Sequence, residues 1–511
     1  MHKRIVKNTY ILSAGTLSSR ALGFIRDILI AKFFGTTGIL EAFIVAFRLP
    51  NIFRSIFGEG FADSVATPVL SEHQADKEKI FEIGNHLLSL FTVILFVFTL
   101  LGAIFAKFFV ILIAPGFIAD PSKFALAVSF TRITFFYLFL IGLSSNIIAI
   151  LYSLKKFFVP ALNPAFLNIS FIVGILFFSK FFNNYILIIC VLVGGVTQLI
   201  FPFISLRREG FSLSFNPLGA LGDREVVRML KLFVPRIWSS IVYHLSVFID
   251  TIFSSLTSIV GQGALASIYY ANRLIQFPFA LVALSISRVA IVDLSGYHRQ
   301  GDLDGFKKLF VFSFQNIIFF IVPLSVIFLC LCENIIDVVF ARGKFDMYSL
   351  KMTASVFFFY SLGLFFFCGI KLLVNAFYSL KDTRTPARTA TLALAANIGL
   401  SALLMFPLKI GGVALGSSLA AMLNFFLLYH YLIKRIGKID WQNTRSQFLK
   451  ILLLSIIIGV GSRFLWSALS FNKYIKALIT AASVLPLFII GGYLLKLEQI
   501  HYLKKWILKK E

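Results

Sequence analysis

The chain has 511 residues, 59% of them hydrophobic and only 14% charged, with a mean hydropathy of +0.90. Soluble domains carry about 25% charged residues, and one core cannot house more than a dozen helices that are apolar all round, which sets a soluble fold aside. The formal net charge of +25 invites a nucleic-acid reading. However, Lys and Arg sit in short connections between apolar segments, with no basic domain or tail, so no nucleic-acid partner is expected.

Apolar segments long enough to cross the bilayer core recur along the whole chain. They lie near 8–34, 38–57, 84–114, 124–154, 160–179, 185–206 and 229–257, then 264–295, 308–332, 351–380, 386–408, 412–433, 448–470 and 475–496. The expectation is an all-α polytopic membrane protein of about 14 transmembrane helices. The first segment follows a basic start, MHKRIVKNTYILSAG, but Arg20 and Arg26 interrupt its apolar run and no cleavage site follows. It reads as a retained helix and not a signal peptide. The second and eighth segments are the least hydrophobic. Cys190, Cys330, Cys332 and Cys368 fall in or at the edge of apolar segments without metal-ligand partners, so no disulfide framework is expected.

With the N-terminus inside, the inner segments hold 26 Lys and Arg and the outer loops 8. The outer eight are Lys123, Lys180, Arg342, Lys344, Lys351, Lys409, Lys473 and Lys476. The inner set includes Lys3, Arg4 and Lys7 at one end and Lys504, Lys505, Lys509 and Lys510 at the other. The positive-inside rule therefore places both termini in the cytoplasm of a multi-pass inner-membrane protein.

Two short matches recur at nearly the same offset, 225 and 226 residues. Ala46-Phe47-Arg48-Leu49 recurs as Ala271-Asn272-Arg273-Leu274, and Tyr152-Ser153-Leu154-Lys155 recurs as Tyr378-Ser379-Leu380-Lys381. An even number of helices per repeat gives parallel repeats with a central site. The reading is two pseudo-symmetric six-helix lobes, 1–222 and 223–440, with two further helices in 441–511.

Several residues are costly in hydrocarbon. In the first segment Ser13, Thr16, Arg20, Gly23 and Asp27 follow 3-4-3-4 spacing and share a helix face, flanked by Arg26. The second segment adds Glu41, Arg48, Asn51 and Arg54, and its Pro50 leaves the Ala46 carbonyl without a helical donor. The eighth carries Arg273 and Arg288, and the seventh Asp250. Each charge could instead be a snorkelling residue or half of a buried ion pair. A mid-bilayer Arg costs about 2.5–3.5 kcal/mol on insertion scales. Arg20, Arg26, Arg48, Arg54 and Arg273 also outnumber the carboxylates near them, Asp27 and Glu41. A surplus of planar, permanently charged guanidinium groups suits a phosphate-like anion; the residues alone leave its sugar and lipid open.

The stretch 13–72, SAGTLSSRALGFIRDILIAKFFG followed by EAFIVAFRLPNIFRSIFGEGFADSVATPVLSE, resembles the MurJ (MviN) lipid II flippase family. That family belongs to the multidrug/oligosaccharidyl-lipid/polysaccharide exporter superfamily. YYANRLIQFP (269–278), ARGKF (341–345) and YSLKDTRTP (378–386) support the likeness. The resemblance implies alternating access around a cationic cavity and transfer of an undecaprenyl-pyrophosphate-linked peptidoglycan precursor from inner to outer leaflet. It also implies a lipid-tail groove at the last two helices. By motif position Arg20, Arg26, Arg54 and Arg273 are the implied binding arginines, with Asp27, Glu41, Asn51 and Arg48 beside them. Glu41 stands where relatives often carry Asp, and LVALSISRVAIVDLS departs from the small-residue and proline pattern expected after Arg273.

The implied partners are the lipid-linked pyrophosphate glycopeptide and membrane lipids, the implied state a monomer. No cofactor is expected; a coupling cation or the membrane potential would supply the energy. Asp250 with Asn397 is a candidate cation site, weighed against a buried carboxylate held by neighbouring helices. The rivals are another lipid-linked oligosaccharide flippase (O-antigen type) and a multidrug antiporter, which should favour intramembrane carboxylates over arginines. A membrane enzyme would need a metal or acid–base cluster. The best one, His73, His86, Glu72, Asp76 and Glu78, reads as a solvated face, so no enzyme is expected. A scaffold protein would not need five intramembrane arginines.

Overall fold

The computed structural model describes the backbone of residues 2–507, and side chains within it except those of 2–14, 58, 59, 234–244, 246 and 503–507. Ser13 of the arginine face and the terminal basic residues counted for orientation (Lys3, Arg4, Lys7, Lys504, Lys505, Lys509 and Lys510) lie outside the described side chains. Each expected apolar segment is a helix: α1 (His2–Phe34), α2 (Gly38–Ser55), α3 (Lys77–Ile104), α4 (Pro121–Ser153), α5 (Phe158–Val173), α6 (Ile186–Arg208) and α7 (Arg224–Ser255). Then follow α8 (Ala264–Gln300, with a wide π-helical stretch at Phe279–Ala283), α9 (Leu303–Cys330), α10 (Met347–Ser379), α11 (Arg384–Leu408), α12 (Ile410–Ile436), α13 (Gln442–Ala468) and α14 (Lys473–Leu494). No strand occurs among the described residues.

Ten helical stretches among the described residues are long and apolar enough to cross a membrane, one of them, Phe158–Arg208, containing both α5 and α6. α2 carries Glu41, Arg48 and Arg54 in only 18 residues, more charge than a lipid-facing span tolerates. It continues into an 11-residue π-helical segment, Ile56–Ala66, and then Thr67–Glu72. Such long π-helices are rare and tend to mark functional sites.

The chain divides into two compact units, Met1–Leu256 and Thr257–Glu511. The division falls later than the lobe boundary at 222 read from the sequence. The reason is α7: it packs on the π-helical segment and on α3, inside the first unit. In that unit α4 is the central post, contacting α2, α3 and α6, while α5 joins α1 to α6. In the second unit α10 plays the same part against α8, α9 and α12. α13 packs along α9, so the last two helices belong to the second unit.

The repeat seen in short motifs is a repeat of structure. α3 and α4 start at Lys77 and Pro121; their counterparts α9 and α10 start at Leu303 and Met347, an offset of 226 residues in both cases. Both pairs also have matching caps. Asp76 and Asp302 accept an amide three residues on, and so do Asp120 and Asp346, the ordinary device for satisfying an orphan N–H at a helix start. The repeated Tyr-Ser-Leu-Lys motif is a helix end. Lys155 and Lys381 sit at φ 61° and 58°, with Lys155 N–H bonded to Tyr152 O and Lys156 N–H to Leu151 O, and with the same two bonds repeated at Lys381 and Asp382. Lys496 ends α14 the same way, at φ 55°. Glycine is the usual residue at this left-handed position. Lysine there adds a cation beside the negative helix end.

Several polar groups buried between the helices of the first unit are paired, as a dry interior favours. Gln198 accepts from Tyr137 Oη (3.2 Å) at its side chain and from Ser144 Oγ (2.6 Å) at its carbonyl, and donates to the Asn163 carbonyl (3.1 Å). These bonds lock α4, α5 and α6 together. The carbonyl freed by Pro50 has found a donor: Thr134 Oγ1 of α4, buried, lies 2.9 Å from Ala46 O. Replacing Thr134 by Val should lower stability by about 1 kcal/mol, and Thr134→Ser should retain it. Thermal unfolding of the purified protein in detergent measures both.

Candidate substrate-binding site

α1 and α5 approach closely: a side chain added at Gly15 would meet the Ala161 carbonyl at 2.7 Å. This closeness brings Asn168 of α5 onto α1, where its amide donates to the Ser19 carbonyl (2.9 Å). The Asn168 oxygen then accepts from Arg26 Nη1 at 2.9 Å. The other side of the Arg26 guanidinium bonds one oxygen of Asp27, Nε at 3.0 Å and Nη2 at 2.9 Å, and the group lies 5.6 Å from the centre of the Phe171 ring. Arg26 and Asp27 side chains are 13% and 4% exposed, so the fork is held on two sides and over a ring. Sequence spacing put Asp27 on the arginine face as a binding residue; the structure makes it the counter-ion that orients Arg26.

Glu41 sits near the start of α2. It is 1% exposed and forms a buried ion pair with Lys123 of α4, whose ammonium also stands 4.2 Å from the centre of the Phe117 ring. Lys123, read from the sequence as an outer-loop charge, is 7% exposed inside the helix start. Glu41 therefore has a lysine partner on α4.

Arg54 turns its Nε to Asn51 Oδ1, 3.0 Å away, a neutral acceptor one turn back. Arg48 is half-buried on the same helix. Arg20 is exposed and has no ion-pair partner among the described residues. In the second unit Arg273 lies over the ring of Tyr269, 4.8 Å from its centre, with Nη2 3.4 Å from that residue's hydroxyl. The structure thus brings Arg26, Asp27 and Asn168 into one assembly, joins Arg54 to Asn51, and leaves Arg273 on the second unit. Asn168, Phe171 and Lys123 were missed in the sequence. The visible signal for the first was an amide in the middle of the apolar run 160–179.

Of the two candidate cation residues, one lies in each unit. Asp250 is half-buried on α7 of the first, and Asn397 is buried on α11 of the second, where its amide oxygen accepts from Ser401 (3.0 Å) and Ser417 (3.2 Å). No three His, Cys, Asp or Glu side chains gather as a metal site among the described residues. The cluster read as a solvated face is more than that. Arg228 forks onto Glu72 at 2.7 and 3.0 Å, and His86 meets Asp223 at 2.8 Å, fastening the start of α7 to α3 and the turn before it. The hydrogen bond from Arg228 holds the Glu72 carboxyl below its ordinary value. Burial raises that of Asp223, but the bonds from His86 and from the Glu225 and Val226 amides outweigh it and leave it lowered.

A transporter is the class these features define: an all-helical membrane protein of two repeated units, with arginines held inside its first helices. An inward-facing multidrug-resistance transporter of the MATE family and MOP superfamily shares this fold, with TM-score 0.64 at 14% identity over 82% of this chain and 94% of that one. The family model for the lipid II flippase MurJ matches residues 30–484, and the chain belongs to that family. Among its relatives, a probable lipid II flippase MurJ of Buchnera aphidicola subsp. Acyrthosiphon pisum (strain APS) is 34% identical over 464 residues, 89% of each chain. Another, from Vibrio cholerae serotype O1, is 31% identical over 84% of this chain and 82% of the relative. A solved lipid II flippase MurJ, in an inward closed conformation, superimposes with TM-score 0.81 at 25% identity, over 96% of this chain and all of the other.

Two outcomes test this geometry. Lys123→Met should cost about 3–5 kcal/mol because it removes the lysine partner of a buried carboxylate, whereas the Glu41→Leu/Lys123→Met pair should recover most of it; unfolding midpoints of the three proteins measure this. Because the Asp223 carboxyl is lowered in the folded protein, its contribution is present above the ordinary carboxylate value and lost as pH falls through its own lower one. The stability gap between wild type and Asp223→Asn should therefore hold near neutrality and close below about pH 3.9.

Proposed function

We propose that the chain moves lipid II, the undecaprenyl-pyrophosphate-linked peptidoglycan precursor, from the inner to the outer leaflet of the bacterial cytoplasmic membrane. The observation that carries this reading is the Arg26 fork held by Asp27 and Asn168, on the helix that also carries the exposed Arg20. Such a cluster keeps net positive charge, and a pyrophosphate offers several oxygens to bidentate donors. Family membership supplies the sugar-peptide and prenyl parts that arginines alone leave open.

In this reading fourteen helices cross the membrane with both termini in the cytoplasm, as the basic inner loops support. The repeat halves 1–222 and 223–440 rock in alternating access, and 441–511 offers the groove for the prenyl tail. The protein acts as a monomer, breaks no bond, needs no cofactor and binds no nucleic acid. The membrane potential, about 2.3 kcal/mol per charge per 100 mV, or a coupling cation biases the cycle.

The deciding experiment depletes the resident flippase of a cell-wall-forming bacterium and supplies this chain or its Arg20→Ala, Arg26→Ala and Arg273→Ala variants. The chain should restore lipid II in the outer leaflet, and each variant should lose most of that activity at equal membrane levels. Full activity in all three variants rejects the arginine account, and movement of a different lipid-linked glycan instead rejects the substrate.

A further inference from the structure

α12 and α13 follow one another in the chain, yet among the described residues they make no extended contact. α12 lies along α10 and α11, while α13 lies along α9 and α14. The gap left between them is lined by rings. Phe310 and Phe314 of α9 and Leu373 of α10, all buried, form its floor. Phe366 and Phe426 stand on the α10–α12 side, 6.0 Å apart between ring centres. Phe448 closes the α13 side, 6.3 Å from Phe365 of α10. Phe426 is 50% exposed, so the crevice opens sideways between helices.

The crevice has a volume of about 290 Å³. Two of the polar groups lining it already have partners. Thr444 Oγ1 accepts from Gln315 Nε2 at 2.9 Å, and the Trp441 Nε1–H donates to the Tyr429 hydroxyl. A water there would find few partners, and an empty void forfeits the dispersion contacts of its walls. A hydrocarbon chain meets neither penalty. At about 30 Å³ per water-sized group the space takes roughly ten chain carbons. That is a large part of one acyl chain and a small part of an undecaprenyl tail.

The mouth has a defined depth. Trp441 immediately precedes α13, and its bonded partner Tyr429 lies in the last turns of α12. Such amphipathic rings settle at the headgroup level of a bilayer. One turn beyond Trp441, Arg445 also lines the crevice; it is exposed and has no ion-pair partner among the described residues. An apolar slot with a cation at its rim matches a molecule with a chain in hydrocarbon and an anion at the surface.

We infer that the crevice between α12 and α13 holds one acyl chain of an anionic membrane phospholipid, with the phosphate of that lipid on Arg445. The site lies on the α10–α12 side of α13. Among the described residues none of α14 lines it, which separates it from a tail groove between the last two helices. The inference stands apart from the identity of the transported lipid, because the test measures occupancy of the crevice and not transport.

The full chain is placed in phosphatidylcholine nanodiscs containing a small fraction of phosphatidylglycerol that carries a diazirine midway along one acyl chain. After irradiation the labelled peptides are mapped by mass spectrometry, with the exposed face of α14 as the reference for bulk lipid contact. Label should concentrate on the peptides carrying Phe314, Phe366 and Phe426, severalfold above α14. Arg445→Gln should lower crevice labelling about fivefold, the loss of one cation beside a headgroup phosphate. Leu373→Phe, which fills the floor, should lower it at least as far while the unfolding temperature is kept; Arg445→Gln, on the surface, serves where that variant does not fold. Unlabelled phosphatidylglycerol should displace the label, and a polyprenyl phosphate should not. Crevice labelling no stronger than that of α14, or labelling unchanged by Arg445→Gln, would overturn the site. Displacement by the polyprenyl phosphate alone would overturn it too, by giving the crevice to a polyprenyl tail.

Discussion

A guanidinium group in an apolar helix must find acceptors inside the protein, and the first unit is arranged around that demand. Arg26 is answered by Asp27 on its own helix and by Asn168 on a neighbour, with Phe171 beneath it. The Asn168 contact requires α1 and α5 to lie close, which Gly15 permits. A group held by two acceptors over a ring has little rotamer freedom left to lose. It can meet a phosphate oxygen without first being ordered, which is the physical content of preorganisation.

The same rule of satisfaction governs helix packing elsewhere in the unit. Pro50 interrupts α2, and Thr134 restores the lost partner of Ala46. Lys123 and Glu41 bury opposite charges together rather than one alone. Gln198 closes a chain of bonds through Tyr137, Ser144 and Asn163. With no water in hydrocarbon, such pairs stiffen the unit and specify which helices adjoin. The second unit follows the same plan at an offset of 226 residues, down to the aspartate caps and the lysines at left-handed helix ends.

Duplication has not preserved the charges. Arg48 and Arg273 occupy matching stretches, yet Arg273 leans on Tyr269, while Arg26 and Asp27 have no arginine–aspartate counterpart aligned with them at the 226 offset. The second unit instead carries Arg288 on α8 and Lys371 on α10. A common scaffold therefore presents a different set of cations in each half, as an asymmetric lipid-linked substrate with one phosphate-rich region and a bulky head would require.

The helices and their order were legible from hydropathy alone, because spanning a bilayer imposes about twenty apolar residues whatever the neighbours. The repeat was legible from two four-residue motifs, one of which proved to be a helix-ending device. Arg20, Arg26, Arg54 and Arg273 could be singled out from their cost in lipid and from family likeness. What each charge is paired with could not be read this way, since partners such as Asn168, Thr134 and Lys123 lie about 80 to 140 residues away in the chain. Helical spacing places a residue on a face but carries no information about which helix that face meets. That choice, and with it the division between Glu41 as a packed counter-ion and Arg26 as an oriented donor, belonged to the tertiary structure.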